Sequence, residues 1–223
     1  IVMRDSLTRK VIYRTSFSSL FQEWQSTEEA TRLRRSFENV FLLPMPKRAA
    51  ELSVTLFDTH RKPLARLNHY VNPKDILIRN LSNAPKHEYK YIWRGGSPDT
   101  CIDVAVVAEG YTVSEMNKFY ERAEETAQSL FAAEPFKSYK YNFNIVALAV
   151  PSQDTGVSIP GKGIWKSTAL DSHFDTFYSD RYLTTLHLKR LHDVMASVPY
   201  EHIIILANTE NYGGGGILNS YTL

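Results

Sequence analysis

The stretch that decides the fold of this 223-residue chain is CIDVAVVAEGYTVSE, residues 101–115. Its first part, from Ile102 to Val107, is rich in β-branched residues and predicts a strand. The following Thr112-Val113-Ser114-Glu115 has the form of a capping box, in which a Ser or Thr is followed three residues later by Glu, and it predicts the start of a helix. A strand that leads directly into a capped helix is typical of an α/β layer.

The residues after this stretch continue the pattern. Apolar residues recur at helical spacing from Met116 to Phe131, and Pro135 ends the segment. A buried strand, a second helix, another buried strand and a last extended segment are then predicted at residues 143–150, 181–196, 203–206 and 213–223. We therefore expect an α/β domain from residue 101 to residue 223.

The first hundred residues have a different composition. They carry 17 Lys or Arg against 10 Asp or Glu, a net charge of +7, whereas residues 101–223 have a net charge of −5. The first of the ten glycines is Gly95. Both shifts predict a domain boundary near residues 82–100. We expect an accessory domain at 1–84, a linker at 85–100 and the α/β domain at 101–223.

The first domain is predicted to be a small antiparallel β-sandwich whose opening strand is incomplete. Five short strands are expected at residues 11–17, 37–43, 52–58, 64–71 and 76–81, with a helix at residues 27–35. In the third strand Leu52, Val54 and Leu56 recur with a period of two, which indicates a sheet with one face in a core. The expected fold class of the whole chain is α+β, a sandwich followed by an α/β domain.

Composition and motifs exclude several classes of function. The net charge of +2 is too small to suggest a nucleic-acid partner, and no uncharged apolar run approaches the ~18 residues of a membrane span. One cysteine, Cys101, cannot form an internal disulfide or a thiolate metal cage. The chain also lacks a Gly-x-Ser-x-Gly elbow and a His-Glu-x-x-His motif.

The remaining polar groups do not form a catalytic constellation. Asp171, Ser172 and His173 are the right residue types for a triad, but three consecutive side chains point apart. His187 and His192 are five residues apart on a predicted helix, so they do not converge on one metal ion. No residue of this chain is therefore predicted to be catalytic or to bind a metal.

The most unusual feature of the sequence is the run YGGGGI at residues 212–217. Four glycines in an ordered strand indicate that another backbone or a ligand comes very close. A flexible turn between two strands is the other interpretation. Neither this run nor Gly161-Lys162-Gly163 has the strand-to-helix setting of a phosphate-binding loop.

Several stretches resemble the IgA-peptidase family of bacterial zinc metalloendopeptidases. They are DVAVVAEGYT at 103–112, EPFKSY at 134–139, PSQDTGVSIPG at 151–161 and NTENYGGGGI at 208–217. FSSLFQEW at 17–24 and TLFDTHR at 55–61 resemble the β-rich domain that precedes the peptidase domain in many members. The resemblance extends over nearly the whole chain, and it implies a zincin-like fold after residue 101 and a secreted or cell-surface protein.

The resemblance also implies that the His-Glu-x-x-His helix of the family lies beyond Leu223. We therefore expect zinc in the intact protein, and we expect this chain alone to be inactive and to hold no stoichiometric zinc. In the intact protein, zinc would polarise the scissile carbonyl and lower the pKa of water, and the glutamate of the motif would move the proton.

The substrate implied by the resemblance is a protein or peptide. In zinc peptidases of this class an extended substrate adds to an edge strand through main-chain hydrogen bonds. The resemblance makes the glycine-rich run the candidate for this edge, with the substrate-facing residues Gly214, Gly215, Gly216, Ile217, Leu218 and Asn219.

Two alternatives remain open. In the first, the chain is a non-catalytic binding protein whose sandwich recognises a glycan or protein. The rings of Tyr89, Tyr91 and Trp93 in the linker would contact the ligand, or they would instead pack between the domains. In the second, Cys101 is the nucleophile of a cysteine hydrolase, which needs a His within hydrogen-bond reach.

One further expectation concerns association. Without a following helix, the apolar side chains at residues 203–206 and at Ile217 are expected to be exposed. Because a bare apolar surface tends to associate, we expect a homodimer through the uncovered sheet face.

Overall fold

The computed structural model describes residues 1–81 and 86–223. The chain divides into two compact units, unit 1 with Ile1–Phe17 and Phe41–Asn80, and unit 2 with Ser18–Val40 and Leu81–Leu223. Strands and α-helices are numbered along the chain as follows: β1 Val2–Asp5, β2 Val11–Arg14, α1 Phe21–Trp24, β3 Ala50–Phe57, β4 Pro63–Val71, β5 Glu88–Arg94, β6 Ile102–Glu109, α2 Met116–Ala132, β7 Phe143–Ala149, α3 Leu188–Val194, β8 His202–Ala207, β9 Gly216–Ile217 and β10 Tyr221–Thr222. Within the described ranges, no helix has the length and apolar character needed to cross a bilayer.

Unit 1 contains one antiparallel four-stranded sheet in the order β2-β1-β3-β4. β3 and β4 pair from Ala50 opposite Val71 to Phe57 opposite Pro63. The predicted β-sandwich is therefore wrong, since the described part of unit 1 holds a single sheet. Two of the predicted strands, 37–43 and 76–81, do not form. Apolar residues of the first pack on the core of unit 2, and the side chains of the second are largely exposed.

Unit 2 is built on a mixed six-stranded sheet in the order β5-β7-β6-β8-β10-β9. The four inner strands are parallel, and each edge strand is antiparallel to its neighbour. The structure confirms the three buried strands predicted from the sequence as β6, β7 and β8. Residues 88–94 of the predicted linker form β5 instead, and residues 82–85 of the predicted boundary lie outside the described residues.

The predicted capping box is present at the start of α2. The N–H group of Thr112 donates to the Glu115 carboxylate at 2.9 Å, and one 3-10 turn, Val113–Glu115, precedes the α-helix. The buried side chains of α2 are Phe119, Ala123 and Ala127, and they pack on one face of the central strands. The apolar periodicity of the sequence therefore predicts the buried face of α2.

Two other predicted helices are shorter than expected. Of residues 181–196, only Leu188–Val194 form α3, because Tyr182 pairs with Gly214 and Thr184 pairs with His173. Of residues 27–35, only Glu28–Thr31 form a 3-10 turn. The predicted extended segment at 213–223 is a hairpin of β9 and β10.

The other face of the sheet is covered as well. Leu20 from the 18–40 segment and Leu191 and Met195 from residues 188–195 join a core cluster that includes Ile203 and Ile217. Ile203, Ile205 and Ile217 are all less than 9 % exposed, and Ile204 and Leu206 pack against the α2 side. The expected exposure of these side chains is therefore wrong: residues 18–40 and the region around α3 cover Ile203, Ile205 and Ile217, and the α2 side covers Ile204 and Leu206. The predicted homodimer is not tested, and the exposed apolar surface that was its physical reason is absent from the described residues.

Candidate functional site

Three loops meet at the carboxyl ends of the parallel strands β6, β7 and β8. The N–H group of Gly156 donates to the carbonyl of Gly110 at 2.8 Å. The side-chain amide of Asn208 donates to the same carbonyl at 3.0 Å and to the hydroxyl of Thr155 at 3.1 Å. In open α/β sheets, ligands bind outside this end of the strands. Three of the stretches that carried the family resemblance, 103–112, 151–161 and 208–217, are therefore brought together where a functional site is expected.

Glu115 ties these loops to the start of α2. Its carboxylate accepts hydrogen bonds from the Thr112 N–H at 2.9 Å, the Thr155 hydroxyl at 2.9 Å and the Asn208 amide at 3.2 Å. These donors, Thr112 foremost, lower the pKa of Glu115 below its ordinary value. The ionised carboxylate therefore acts as a clamp that fixes the geometry of the loops.

Glu109 is a second carboxylate at this end of the sheet, and its residue is fully buried. It accepts hydrogen bonds from the Thr168 hydroxyl at 2.7 Å, the Leu170 N–H at 2.9 Å and the Ser172 N–H at 2.8 Å. Because a buried carboxylate needs such donors, Glu109 fixes the loop at residues 168–172. The role of Glu109 was not predicted from the sequence, although a glutamate at the end of an apolar strand is a visible signal.

The residues considered for a triad do not act together. The Asp171 carboxylate pairs with the Arg190 guanidinium at 2.7 Å. The Ser172 hydroxyl is buried and has no hydrogen-bond partner in the described part of the chain. His173 contacts the carbonyl of Phe174 through Nδ1, at 2.7 Å. The described hydrogen bonds therefore do not link these three side chains to one another.

The other candidate ligands and nucleophiles are also dispersed. His187 lies 3.8 Å from the Asp171 carboxylate, whereas His192 contacts the hydroxyl of Tyr200 at 2.8 Å. Cys101 Sγ has the Tyr141 carbonyl as its hydrogen-bond partner, at 3.8 Å. Among residues 1–81 and 86–223, no group of three or more His, Cys, Asp or Glu side chains could hold a metal ion. The described side chains therefore do not fit a zinc site.

The predicted substrate-facing residues lie at and beside the edge strand β9. Gly214 bridges the 181–183 segment, donating to the Arg181 carbonyl at 3.0 Å and accepting from the Leu183 N–H at 3.3 Å. Gly215 exchanges two hydrogen bonds with Leu223, at 2.9 and 2.8 Å. β9 consists of Gly216 and Ile217, and the turn of the hairpin follows at Leu218, Asn219 and Ser220.

Three of the four glycines are required by close approach of the chain to itself. A Cβ atom added at Gly213 would lie 2.5 Å from the Arg181 carbonyl oxygen. One at Gly214 would lie 2.7 Å from the Leu223 oxygen, and one at Gly215 would lie 2.4 Å from the Leu183 oxygen. These distances are far shorter than van der Waals contact, so a larger residue would displace the backbone.

Gly216 is different. A Cβ atom there would lie 3.8 Å from its nearest neighbour, the Tyr221 oxygen, which is an ordinary contact. Because Gly215 and Leu223 form a hydrogen-bonded pair of an antiparallel ladder, the N–H and C=O groups of Gly216 point away from β10. Gly216 is exposed, and no described backbone group bonds to it on that side. The edge of the sheet is therefore open at Gly216.

A cleft of about 330 Å³ adjoins this edge within unit 2. It is lined by residues of the 18–40 segment, of the 185–188 segment and of β9: Ser19, Leu20, Arg35, Ser36, Phe37, Glu38, Asn39, Thr185, Leu186, His187, Leu188 and Ile217. This cleft was not predicted from the sequence, because residues 18–40 were expected to belong to a separate domain.

The rings proposed for ligand recognition lie at the other edge of the sheet. Tyr89, Tyr91 and Trp93 belong to β5. Trp93 packs on Phe131 and Tyr141, with ring centroids 5.6 Å apart in both cases, and its Nε1 donates to the Lys140 carbonyl at 2.8 Å. Trp93 therefore has a packing role inside unit 2.

Comparison with known families gives two matches along the chain. The model described as IgA Peptidase M64 matches residues 92–223, and the model described as Peptidase M64 N-terminus matches residues 1–68. No curated protein matches the chain significantly. The two matches confirm the resemblance inferred from the sequence stretches.

Proposed function

The chain belongs to the IgA peptidase M64 family, and from this premise we propose that the intact protein is a zinc-dependent endopeptidase acting on protein substrates. Membership of a peptidase family supports the hydrolysis of peptide bonds. The dependence on zinc rests on the sequence resemblance to zinc metalloendopeptidases. In this proposal the 223 residues supply the sheet, its covering helices and one wall of the substrate groove.

The zinc ligands are proposed to come from a His-Glu-x-x-His motif outside this chain. The 223 residues do not contain that motif, and the described side chains do not fit a metal site. In this proposal no residue of this chain takes part in a catalytic step. Residues 1–223 alone are expected to be inactive and free of stoichiometric zinc.

The role proposed for this chain is to dock the main chain of the substrate at β9. The observation that carries the proposal is Gly216, an exposed glycine at a sheet edge that intramolecular packing does not require. An extended peptide could exchange hydrogen bonds with its N–H and C=O groups, as in β-strand addition. The outward groups of Gly214 already bond to residues 181 and 183, and the Leu218 carbonyl accepts from the Ser18 N–H at 3.5 Å. The proposal therefore centres on Gly216 and Ile217.

A protease assay tests the proposed activity. The gene product that includes residues 1–223 and continues through the codons after Leu223 is expected to cleave an unfolded protein such as casein. A chelator is expected to stop the cleavage, and added zinc is expected to restore it. Cleavage that chelators do not affect, or the absence of His-Glu-x-x-His in those codons, would contradict the proposal.

Location follows from the same resemblance. We propose that the protein is secreted or attached to the cell surface, where protein substrates from outside the cell are accessible. Fractionation of the producing cells tests this, and recovery of the protein only from the cytoplasm would contradict it.

A further inference from the structure

We propose that the cleft beside β9 is a specificity pocket for an aromatic side chain of the peptide substrate. The inference rests on the proposed docking of a peptide at Gly216 and names the side chain that such a peptide would carry. Ile217 connects the two features, because it follows Gly216 in β9 and its side chain lines the cleft. Side chains opposite each other in a sheet share a face. A substrate residue opposite Ile217 would therefore point its side chain toward the cleft.

The size and walls of the cleft suit one large side chain. Its volume of about 330 Å³ is at the small end of the ~300–1,000 Å³ found for ligand pockets. Its walls include the five apolar side chains of Leu20, Phe37, Leu186, Leu188 and Ile217. Burying an apolar side chain against them would remove apolar surface from water on both partners.

Several polar groups around the cleft already have partners within the chain. The side-chain amide of Asn39 donates to the Phe37 carbonyl at 3.1 Å. The Glu38 carboxylate accepts from the Lys189 N–H at 2.8 Å, and the Thr185 hydroxyl donates to the Leu170 carbonyl at 2.6 Å. An apolar occupant would leave these hydrogen bonds intact.

The contacts of Arg35 favour an aromatic occupant of the cleft over an acidic one. Its guanidinium lies 3.4 Å from the Glu29 carboxylate, so its charge is offset inside the chain. The guanidinium carbon lies 5.5 Å from the ring centroid of Phe37 and 5.8 Å from that of Phe177. A guanidinium held beside aromatic rings offers a flat surface for one more ring.

Phe37 is itself held in place by other rings. Its centroid lies 5.9 Å from that of Trp24 and 5.9 Å from that of Phe177. An aromatic side chain in the cleft would extend this series of ring contacts without displacing a side chain. Ring against ring and ring against guanidinium are both favourable contacts, so the geometry favours Phe, Tyr or Trp in the substrate.

Binding to the 223-residue chain tests the inference without requiring catalysis. Capped peptides Gly-Ala-Xaa-Ala-Gly, with Phe, Ala or Asp at Xaa, would be titrated onto the labelled protein and followed by NMR. We expect the Phe peptide to bind at least about tenfold more tightly than the Ala peptide, and the Asp peptide to bind no better than the Ala peptide. The Phe peptide should shift the signals of Gly216, Ile217 and Leu186.

Two pairs of variants distinguish peptide binding in the cleft from the effect of any substitution in residues 18–40. Ser36→Trp fills the cleft and should remove the preference for Phe, while Ser26→Trp, on an exposed serine of the same segment that does not line the cleft, should retain it. Arg35→Ala should reduce the preference severalfold, and Arg34→Ala, its exposed neighbour, should not. The dispersion of the NMR spectrum shows which variants fold. If Ser36→Trp does not fold, Arg35→Ala and its control Arg34→Ala provide the test.

Several results would overturn the inference. They are equal binding of the Phe and Ala peptides, tightest binding of the Asp peptide, shifts by the Phe peptide away from the cleft, and an unchanged preference for Phe in both folded Ser36→Trp and Arg35→Ala. If every peptide shifts Gly216 equally, docking at β9 stands and the pocket fails. If no peptide binds, both fail, while the proposed peptidase activity is judged separately by zinc-dependent cleavage.

Discussion

At the scale of single residues, the neighbouring glycines 215 and 216 have different reasons to be glycine. A Cβ atom at Gly215 would lie 2.4 Å from the Leu183 carbonyl oxygen, whereas one at Gly216 has no neighbour closer than 3.8 Å. We predict that Gly215→Ala lowers the free energy of unfolding by about 1–3 kcal/mol, the usual cost of overpacking. Gly216→Ala should change it little. Urea unfolding of the two variants measures the difference, and equal stabilities would contradict this account of the glycine run.

Glu109 provides a second prediction at this scale. Glu109→Ala removes the acceptor for three donors, at Thr168, Leu170 and Ser172. Because each buried donor left unpaired costs about 1–3 kcal/mol, we expect a loss of at least about 3 kcal/mol. The control is Glu210→Ala on an exposed glutamate, which should stay within about 0.5 kcal/mol of the wild type. If chemical denaturation gives the two variants the same stability, Glu109 does not fix the loop.

At the scale of elements, the capping box of α2 predicts a dependence of stability on pH. The hydrogen bond from the Thr112 N–H, with further donors, lowers the pKa of Glu115 below its ordinary value of 4.5. A carboxyl group whose pKa is lowered on folding stabilises the protein above its ordinary pKa, and this contribution is lost as the pH falls through the lowered value. The wild type should therefore lose more thermal stability than Glu115→Gln on acidification below about pH 4.5. Melting temperatures across this range test the prediction, and parallel curves for the two proteins would contradict it.

The elements also show what the sequence could predict. β6, β7, β8 and α2 were predictable because an apolar run or a helical period is a local signal. The strand predicted at residues 37–43 and the length of the helix at 181–196 depended on distant partners. Phe37 packs on a core cluster whose residues lie mostly after residue 104, and Tyr182 pairs with Gly214. No local pattern reveals such partners.

The candidate site was predictable to a similar degree. Composition alone indicated that some backbone approaches the glycine run closely. The identity of that backbone, residues 181–183 and Leu223, required the fold. The run lies at the edge of the sheet, and only the hydrogen-bond pattern of the hairpin distinguishes Gly216 from its neighbours. The cleft could not be found from the sequence, because its walls are more than 140 residues apart along the chain.

At the scale of the whole molecule, the chain contributes to its two units alternately. Residues 1–17 and 41–80 belong to unit 1, while residues 18–40 between them belong to unit 2. Leu20 is only 5 % exposed and belongs to the same core cluster as Ile203 and Ile205 of β8. A segment that supplies core residues is a part of the domain it packs in, so residues 18–40 are needed for the fold of unit 2.

This organisation predicts where a core substitution in residues 18–40 has its effect. Leu20→Ala should lower the stability of unit 2 by about 2–5 kcal/mol, because it leaves a cavity among buried side chains. Native-state hydrogen exchange should show faster exchange at the amides of Ile203 and Ile205. Leu33→Ala, on a side chain that is 58 % exposed, serves as the control and should leave exchange unchanged. If Leu20→Ala instead accelerated exchange only in β3 and β4, residues 18–40 would belong with unit 1, as the boundary predicted from composition implies.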